Sequence, residues 1–413
     1  MQHHFVALLI VAWMTSLLTT PLMRIVGARI GLLDHPHERK IQRTAIPRTG
    51  GIGILFGMAA AMIYLGRIAP PLGIAMSREL GAVLAGGALI HILGILDDLL
   101  QLSARVKFGL QVLVIACVVS NGVLLDGLTL PGGSVLELGI FAIPVTAFFL
   151  LGFINSFNLV DGLDGLAAGI ASISAVVLAL AGVLQGNFLL AALSLALLGA
   201  VVGFLPFNFI FGKTFLGDAG SMLLGYFLAV SALVGARFTH DATPVLLAIA
   251  GAIVPILDTF TTILRRLRNG QALFRPDSMH IHHRLIRFGL TPERTVVVIL
   301  GVTAFTAGLA LCTSIEGFSL LLVPTVLAAF LVASGMRRDR RTIEEDTEAS
   351  IRETVLYLLG TLDGTNARLD GKQRIREVLA TSPARTTAHN RSHESQPSEE
   401  KLASHSRGSH DSD

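Results

Sequence analysis

Residues 188–207 read FLLAALSLALLGAVVGFLPF, an unbroken run without one ionisable side chain. At about 1.5 Å of rise per residue, such a run crosses the roughly 30 Å hydrocarbon core of a bilayer as a helix. Lipid offers no partner to an open backbone N–H or C=O, so the helix is the form such a run takes. Working outward, apolar runs recur at 165–184 and 138–154 on one side and at 219–236 and 244–263 on the other. Further runs lie at 4–26, 50–69, 79–96, 108–125, 295–313 and 318–335. The expected fold is all-α: a polytopic membrane protein with about 11 transmembrane helices.

Composition points the same way. The 413 residues are 52% hydrophobic and 15% charged, against roughly 25% charged in a soluble domain. The 42 glycines suit helices that approach closely through small residues. A formal charge of +3, with the basic residues lying between apolar runs, argues against nucleic acid as a partner. Cys117 and Cys312 stand alone in apolar runs, which excludes a disulfide framework and a CxxC metal site; both are expected to be small core residues. The apolar run from Phe5 has no Lys or Arg before it and no cleavage site after it, so it reads as a first span and not as a secretory signal.

Eleven spans place alternate loops on opposite sides, and basic residues test that arrangement. Loops after even-numbered spans hold only Arg67, Arg78 and Arg237. Loops after odd-numbered spans hold Arg29, Arg39, Lys40, Arg43, Arg48, Arg105, Lys107, Lys213, Arg265, Arg266, Arg268, Arg275, Arg284, Arg287 and Arg294. The expected orientation therefore has the N-terminus outside and the odd loops and C-terminus in the cytoplasm. Residues 1–336 form the expected transmembrane catalytic domain and 337–381 a cytoplasmic tail, partly helical. Residues 382–413 are expected to be a disordered polar tail whose removal leaves catalysis intact.

A charge inside a membrane segment costs about 2.5–3.5 kcal/mol on insertion scales, so acidic residues in apolar sequence call for a reason. Here they gather at the expected cytoplasmic face. Asp97 and Asp98 end the third span, with Lys107 at the start of the fourth. Adjacent carboxylates repel unless a cation neutralises them, which suggests Mg²⁺, a phosphate-bound metal or a shifted pKa; a solvated turn is the plainer alternative. Between spans five and six, Asn155, Asn158, Asp161 and Asp164 recur every third residue, which on a helix puts their oxygens on one surface. Lys213, Gly217, Asp218, Gly220 and Ser221 open span eight, where free backbone N–H groups favour phosphate or a capping carboxylate. The 264–294 loop carries Arg265, Arg266 and Arg268, then Asp277, His280, His282, His283 and Arg284. Three histidines in four residues suggest phosphate recognition, proton transfer or a transition-metal site. Key charges at helix ends, and not at the bilayer midplane, favour an enzyme over a transporter.

These motifs, in this order, resemble the polyprenyl-phosphate N-acetylhexosamine-1-phosphate transferase family (glycosyltransferase family 4). The likeness runs from about Asp34 to Gly289. It rests on Pro47 to Gly51, Asp97-Asp98 with Lys107, Asn155 to Ala167, Gly217 to Ser221 and His280 to His283. CDP-alcohol phosphotransferases and aromatic prenyltransferases arrange their Asp motifs differently. The His-Ile-His-His stretch is similar to the bacterial branch that starts O-antigen, common-antigen or teichoic-acid synthesis from UDP-N-acetylglucosamine. One departure is Gln42, where many members carry His.

The resemblance implies transfer of N-acetylglucosamine-1-phosphate from a UDP-sugar to undecaprenyl phosphate at the bacterial inner membrane, with release of UMP. It implies Mg²⁺, with Mn²⁺ as the alternative ion, held by Asp218, Asp97 and Asp98, which are also the expected catalytic groups. Asp98 or its neighbour would accept or position a proton of the lipid phosphate. Asn155, Asn158, Asp161 and Asp164 would bind the nucleotide, while Lys107, His280, His282 and His283 would bind the substrate, chiefly through its phosphates. Expected partners are undecaprenyl phosphate, UDP-N-acetylglucosamine or a related UDP-amino sugar, and membrane lipid; a homodimer is compatible with the sequence. The alternatives are the same reaction with another UDP-amino sugar or with phospho-MurNAc-pentapeptide, and a transporter of lipid-linked sugars.

Overall fold

The computed structural model describes residues 2–34, 45–68, 78–129, 134–210, 212–239, 241–272 and 280–315. Its helices are α1 (Gln2–Ile30), α2 (Gly50–Ile68), α3 (Arg78–Leu100), α4 (Ala104–Ser120), α5 (Ala142–Val160) and α6 (Leu166–Leu184). They continue with α7 (Phe188–Leu205), α8 (Gly217–Thr239), α9 (Thr243–Gly251), α10 (Ile253–Arg268), α11 (Ile281–Arg287) and α12 (Pro292–Ile315). Eight of the described helices are long and apolar enough to cross a membrane, and the protein is a multi-pass membrane protein. The eleven expected spans are not all established. Helix α4 has only 17 residues. The run at 244–263 is broken at Ala252 into α9 and α10, which meet at a 74° bend and count as a ninth span if taken together. The expected last span at 318–335 and both tail segments lie outside the described residues.

Helix α8 is the axis of the bundle. Its most apolar stretch is 94% buried, against 28% for α1, and it packs on α2, α3, α5, α6, α7 and α9. A helix so enclosed must approach its neighbours through small residues. A Cβ on Gly94 of α3 would lie 2.2 Å from the Cα of Ala219 in α8, so any side chain there would force the two helices apart. At the rim, apolar side chains such as Ile63, Leu113, Phe148 and Phe305 face outward, as lipid-exposed positions do. Cys117 and Cys312 are exposed as well, which corrects their expected place in the core.

Two short antiparallel hairpins interrupt the all-α pattern. Strands β1 (Leu33–Asp34) and β2 (Ile46–Pro47) pair near the candidate site, and β3 (Gly127–Thr129) pairs with β4 (Val135–Glu137). The segment after β2 docks on the entry to α8: Phe215 N–H donates to Pro47 O at 2.9 Å and Gly50 N–H to Phe215 O at 2.9 Å.

Candidate active site

The end of α3, the start of α4, the end of α5 and the start of α8 carry polar side chains that meet at one point. Lys107 sits among them, its Nζ 2.6 Å from Asp97 Oδ2, 2.6 Å from Asp218 Oδ2 and 2.8 Å from Asn158 Oδ1. Asn158 completes the ring, donating through Nδ2 to Asp218 Oδ1 at 3.0 Å and to Ser221 Oγ at 3.1 Å. The local sequence holds each member in place. Asp97 Oδ1 accepts the N–H of Leu102 at 3.0 Å, which ties down the turn between α3 and α4. Ser103 then caps α4, accepting from Val106 N–H through its side chain.

The start of α8 is capped from outside its own strand of sequence. Asp98 Oδ2 accepts the N–H of Ala219 at 3.3 Å, so the neighbouring helix supplies the carboxylate that the exposed N–H groups and the positive end of α8 favour. Gly217 makes room for it. Its φ of +74° suits glycine, and a Cβ there would lie 2.7 Å from Asp98 Oδ2. The other oxygen of Asp98 receives Arg48 Nη1 at 3.2 Å, and Arg48 also pairs with Asp34 on β1. Burial works against the Arg48 charge, but these two carboxylates hold its pKa above the ordinary value.

Helix α5 ends at Val160, so Asn155 and Asn158 are helical while Asp161 and Asp164 lie in the following turn. The four do not share one helical face as the spacing predicts. Desolvation, then the carboxylates of Asp218, Asp98 and Asp164, push Asp161 well above the usual carboxylate range. Desolvation raises Asp164 as well. Asn155 lies one turn deeper, where it donates to Gln111 Oε1 at 2.9 Å and has no hydrogen bond to the carboxylates. Asn208 braces the turn from the far side: its Oδ1 accepts Gly165 N–H at 2.6 Å.

The histidines form a second group. His282 is buried against Gly162, where a Cβ would come within 2.4 Å of its Nε2. Burial first, then the nearby His283 and His280 rings, lower His282 to about 4 against the opposing pull of Asp258. His283 is exposed, with its ring centroid 4.2 Å from that of His282. His280 hydrogen-bonds Asp258 of α10, through Nδ1 and Oδ2 at 2.8 Å. Asp277, named with these residues from the sequence, lies outside the described residues.

The residues suit a hard divalent cation. Asp97 and Asp218 both turn oxygens toward the point that the Lys107 ammonium occupies, and Asp98 lies beside them at the start of α8. Among the described residues, no three His, Cys, Asp or Glu side chains are already placed to hold an ion by themselves. Mg²⁺ asks for less, binding through one or two carboxylates plus water and substrate phosphates. Two residues of the site, Asp258 and Gln111, are not among those expected from sequence, while Arg48 belongs to the Pro47 to Gly51 motif. Asp258 carried the usable signal, as a carboxylate inside an apolar run.

Comparison with known proteins places this arrangement in context. The model of glycosyl transferase family 4 matches residues 80–236, which span α3 to α8. Over 291 residues the chain is 38% identical to the probable undecaprenyl-phosphate N-acetylglucosaminyl 1-phosphate transferase of Bacillus subtilis (strain 168), covering 70% of this chain and 79% of that protein. It is 36% identical over 312 residues to the decaprenyl-phosphate N-acetylglucosaminephosphotransferase of Mycobacterium tuberculosis (strain ATCC 25618 / H37Rv), covering 69% and 77%. It is 31% identical over 325 residues to the undecaprenyl-phosphate alpha-N-acetylglucosaminyl 1-phosphate transferase of Escherichia coli (strain K12), covering 76% and 86%.

Proposed function

The chain belongs to glycosyl transferase family 4, and we propose that it transfers N-acetylglucosamine-1-phosphate from UDP-N-acetylglucosamine to a polyprenyl phosphate such as undecaprenyl phosphate. The observation that carries this reading is the Lys107 ammonium joined to Asp97, Asp218 and Asn158 where the ends of four helices meet. An anionic lipid phosphate attacking an anionic diphosphate needs alignment and charge neutralisation more than covalent help.

Asp97 and Asp218, with Asp98 beside them, would hold Mg²⁺, or Mn²⁺ in its place. When bound, the ion neutralises charge on the diphosphate. Lys107 fixes the two carboxylates and brings a positive charge to the phosphates. Asp98 takes the proton of a monoanionic lipid phosphate, and Arg48 keeps that carboxylate in place. Asn158, Asp161 and Asp164 orient the nucleotide-sugar, and the His280–His283 turn closes over Gly162 beside it. A lipid phosphate oxygen bonds to the β-phosphorus of the donor, and the bond from that phosphorus to the bridging oxygen breaks. The electron pair leaves with UMP, and the product is polyprenyl-diphosphate-linked N-acetylglucosamine.

The asymmetry of Lys and Arg between alternate loops supports a site on the cytoplasmic face of a bacterial inner membrane, with the N-terminus outside. The test is UMP release by the purified chain given undecaprenyl phosphate, Mg²⁺ and UDP-N-acetylglucosamine, beside Asp218→Asn. Release that the variant abolishes supports the reading. Release only with another UDP-sugar moves the substrate, and silence with every donor in folded protein overturns the enzyme. Sugar-phosphate trapped on Asp97, Asp98 or Asp218 would replace direct attack by a covalent route.

A further inference from the structure

Asp258 is a carboxylate 2% exposed on the buried side of α10, a costly placement unless its oxygens are fully used. Both are. Oδ1 accepts the backbone N–H of Ile281 at 2.8 Å, the first residue of α11, and Oδ2 faces Nδ1 of His280 at 2.8 Å. A carboxylate there can only accept, so the proton of the His280 ring sits on Nδ1 and the far nitrogen, Nε2, is left for another partner. From His280 the order passes on. Its ring lies parallel to that of His282, 5.9 Å away and 5° off in plane, and His282 rests on Gly162, next to Asp161.

We propose that Asp258 is a positioning residue for the nucleotide-sugar: it fixes the tautomer of His280 and the entry of α11, and so holds the His280–His283 turn against the end of α5. The proposal rests on the transferase reading above. The turn that Asp258 anchors rests on Gly162, beside the groups assigned to the nucleotide-sugar, so the effect falls on the water-soluble donor and not on the lipid acceptor.

Asp258→Asn separates positioning from mere support. The amide keeps the shape and one acceptor oxygen, enough for the Ile281 N–H, but it turns an NH₂ toward Nδ1 and drives the ring proton to Nε2. In the full-length protein in nanodiscs, kcat/KM for UDP-N-acetylglucosamine is expected to fall about 10- to 100-fold, the range seen when the carboxylate that orients a metal-bound histidine is lost. The KM for undecaprenyl phosphate is expected to stay within about twofold. His280→Gln should cost a similar factor and the double variant no more than either single one, because Asp258 acts through His280. Losses that multiply in the double variant overturn the proposal. The wild-type protein supplies a second readout, in which a variant serves only for assignment: ¹⁵N shifts of labelled histidine, with His280 assigned by its disappearance in His280→Gln. A protonated Nδ1 with bare Nε2 supports the proposal, and the opposite tautomer overturns it. A wild type that releases no UMP would overturn the transferase reading, while the ring shifts would still decide the pairing of Asp258 with His280.

Discussion

Asp98 caps the helix that begins with Asp218, accepting the backbone N–H of Ala219 at 3.3 Å from a neighbouring helix. Two carboxylates that repel one another are thus set side by side by a bond that one of them makes to the backbone of the other's helix. The close approach of Gly94 to Ala219 allows it. Capping and chemistry can therefore be separated by substitution. Asp98→Ala should destabilise the folded protein by about 1–2 kcal/mol, as the loss of an N-cap acceptor does, read as a lower unfolding temperature in detergent. Asp98→Asn keeps an acceptor oxygen and should unfold near wild type while losing at least about 100-fold in UMP release, the scale of a lost acid-base group. Equal activity in wild type and Asp98→Asn would reduce Asp98 to a cap.

Lys107 is the one ammonium that touches both Asp97 and Asp218 in this ring. Lys107→Met leaves two carboxylates facing each other without their shared cation. About 3 kcal/mol of stability should go, the lower end for a broken buried pair, because the Asp218 side chain is 36% exposed. Activity should go with it. Lys107→Arg should restore stability better than activity, because a planar guanidinium cannot reach Asp97, Asp218 and Asn158 from the point a compact ammonium occupies. Full turnover in Lys107→Arg would argue that charge alone is required.

Much of this ring was legible in sequence because a charge in an apolar run has few reasons to be there. Asp97, Asp98, Lys107 and Asp218 stand out on that ground, Asn158 through the Asn/Asp spacing around it, and the structure brings them together. Asn155 shared the same spacing but points into a deeper layer, since periodicity gives a face and not a depth. The bend within 244–263 was hidden by its apolar character, although Pro255 marks it. Proline has no N–H to offer the carbonyl of Gly251, so a helix can stop there and restart. The cysteines were misplaced because hydropathy cannot tell a lipid-facing thiol from a packed one. Arg48 was legible as a basic group of the Pro47 to Gly51 motif at the same face, but its place between Asp34 and Asp98 depends on the pairing of β1 with β2.

The pairing of His282 with Gly162 sets a pH dependence. Burial holds the folded-state pKa of His282 at about 4, below the unfolded value of 6.5. The unfolded chain therefore binds the extra proton first as pH falls. The contribution of this ring is intact above about pH 6.5 and declines by at most about 1.4 kcal/mol per pH unit down to about pH 4. Unfolding temperatures at pH 7 and pH 5 should show a larger acid loss in wild type than in His282→Gln, the difference cancelling the titration of all other groups. Identical acid losses in the two proteins would mean that the turn does not bury His282 against α5 in solution.

Helices α4 and α5 are joined by two rungs, Lys107 with Asn158 and, one turn deeper, Gln111 with Asn155, at 2.8 and 2.9 Å. The i, i+4 spacing of Lys107 and Gln111 meets the i, i+3 spacing of Asn155 and Asn158, so one register serves both. Only the outer rung touches Asp218. Asn158→Ala should therefore cost at least about 100-fold in kcat/KM, since Lys107, Asp218 and Ser221 all lose a partner. Asn155→Ala leaves the fully buried Gln111 oxygen without its donor, which should cost about 1–3 kcal/mol of stability while turnover of the folded fraction stays within about 10-fold. Stability and UMP release measured on both variants decide the matter. An Asn155→Ala protein that folds normally but does not turn over would move Asn155 from the supporting layer to the substrate, because a deeper rung can affect chemistry directly only if the nucleotide reaches it.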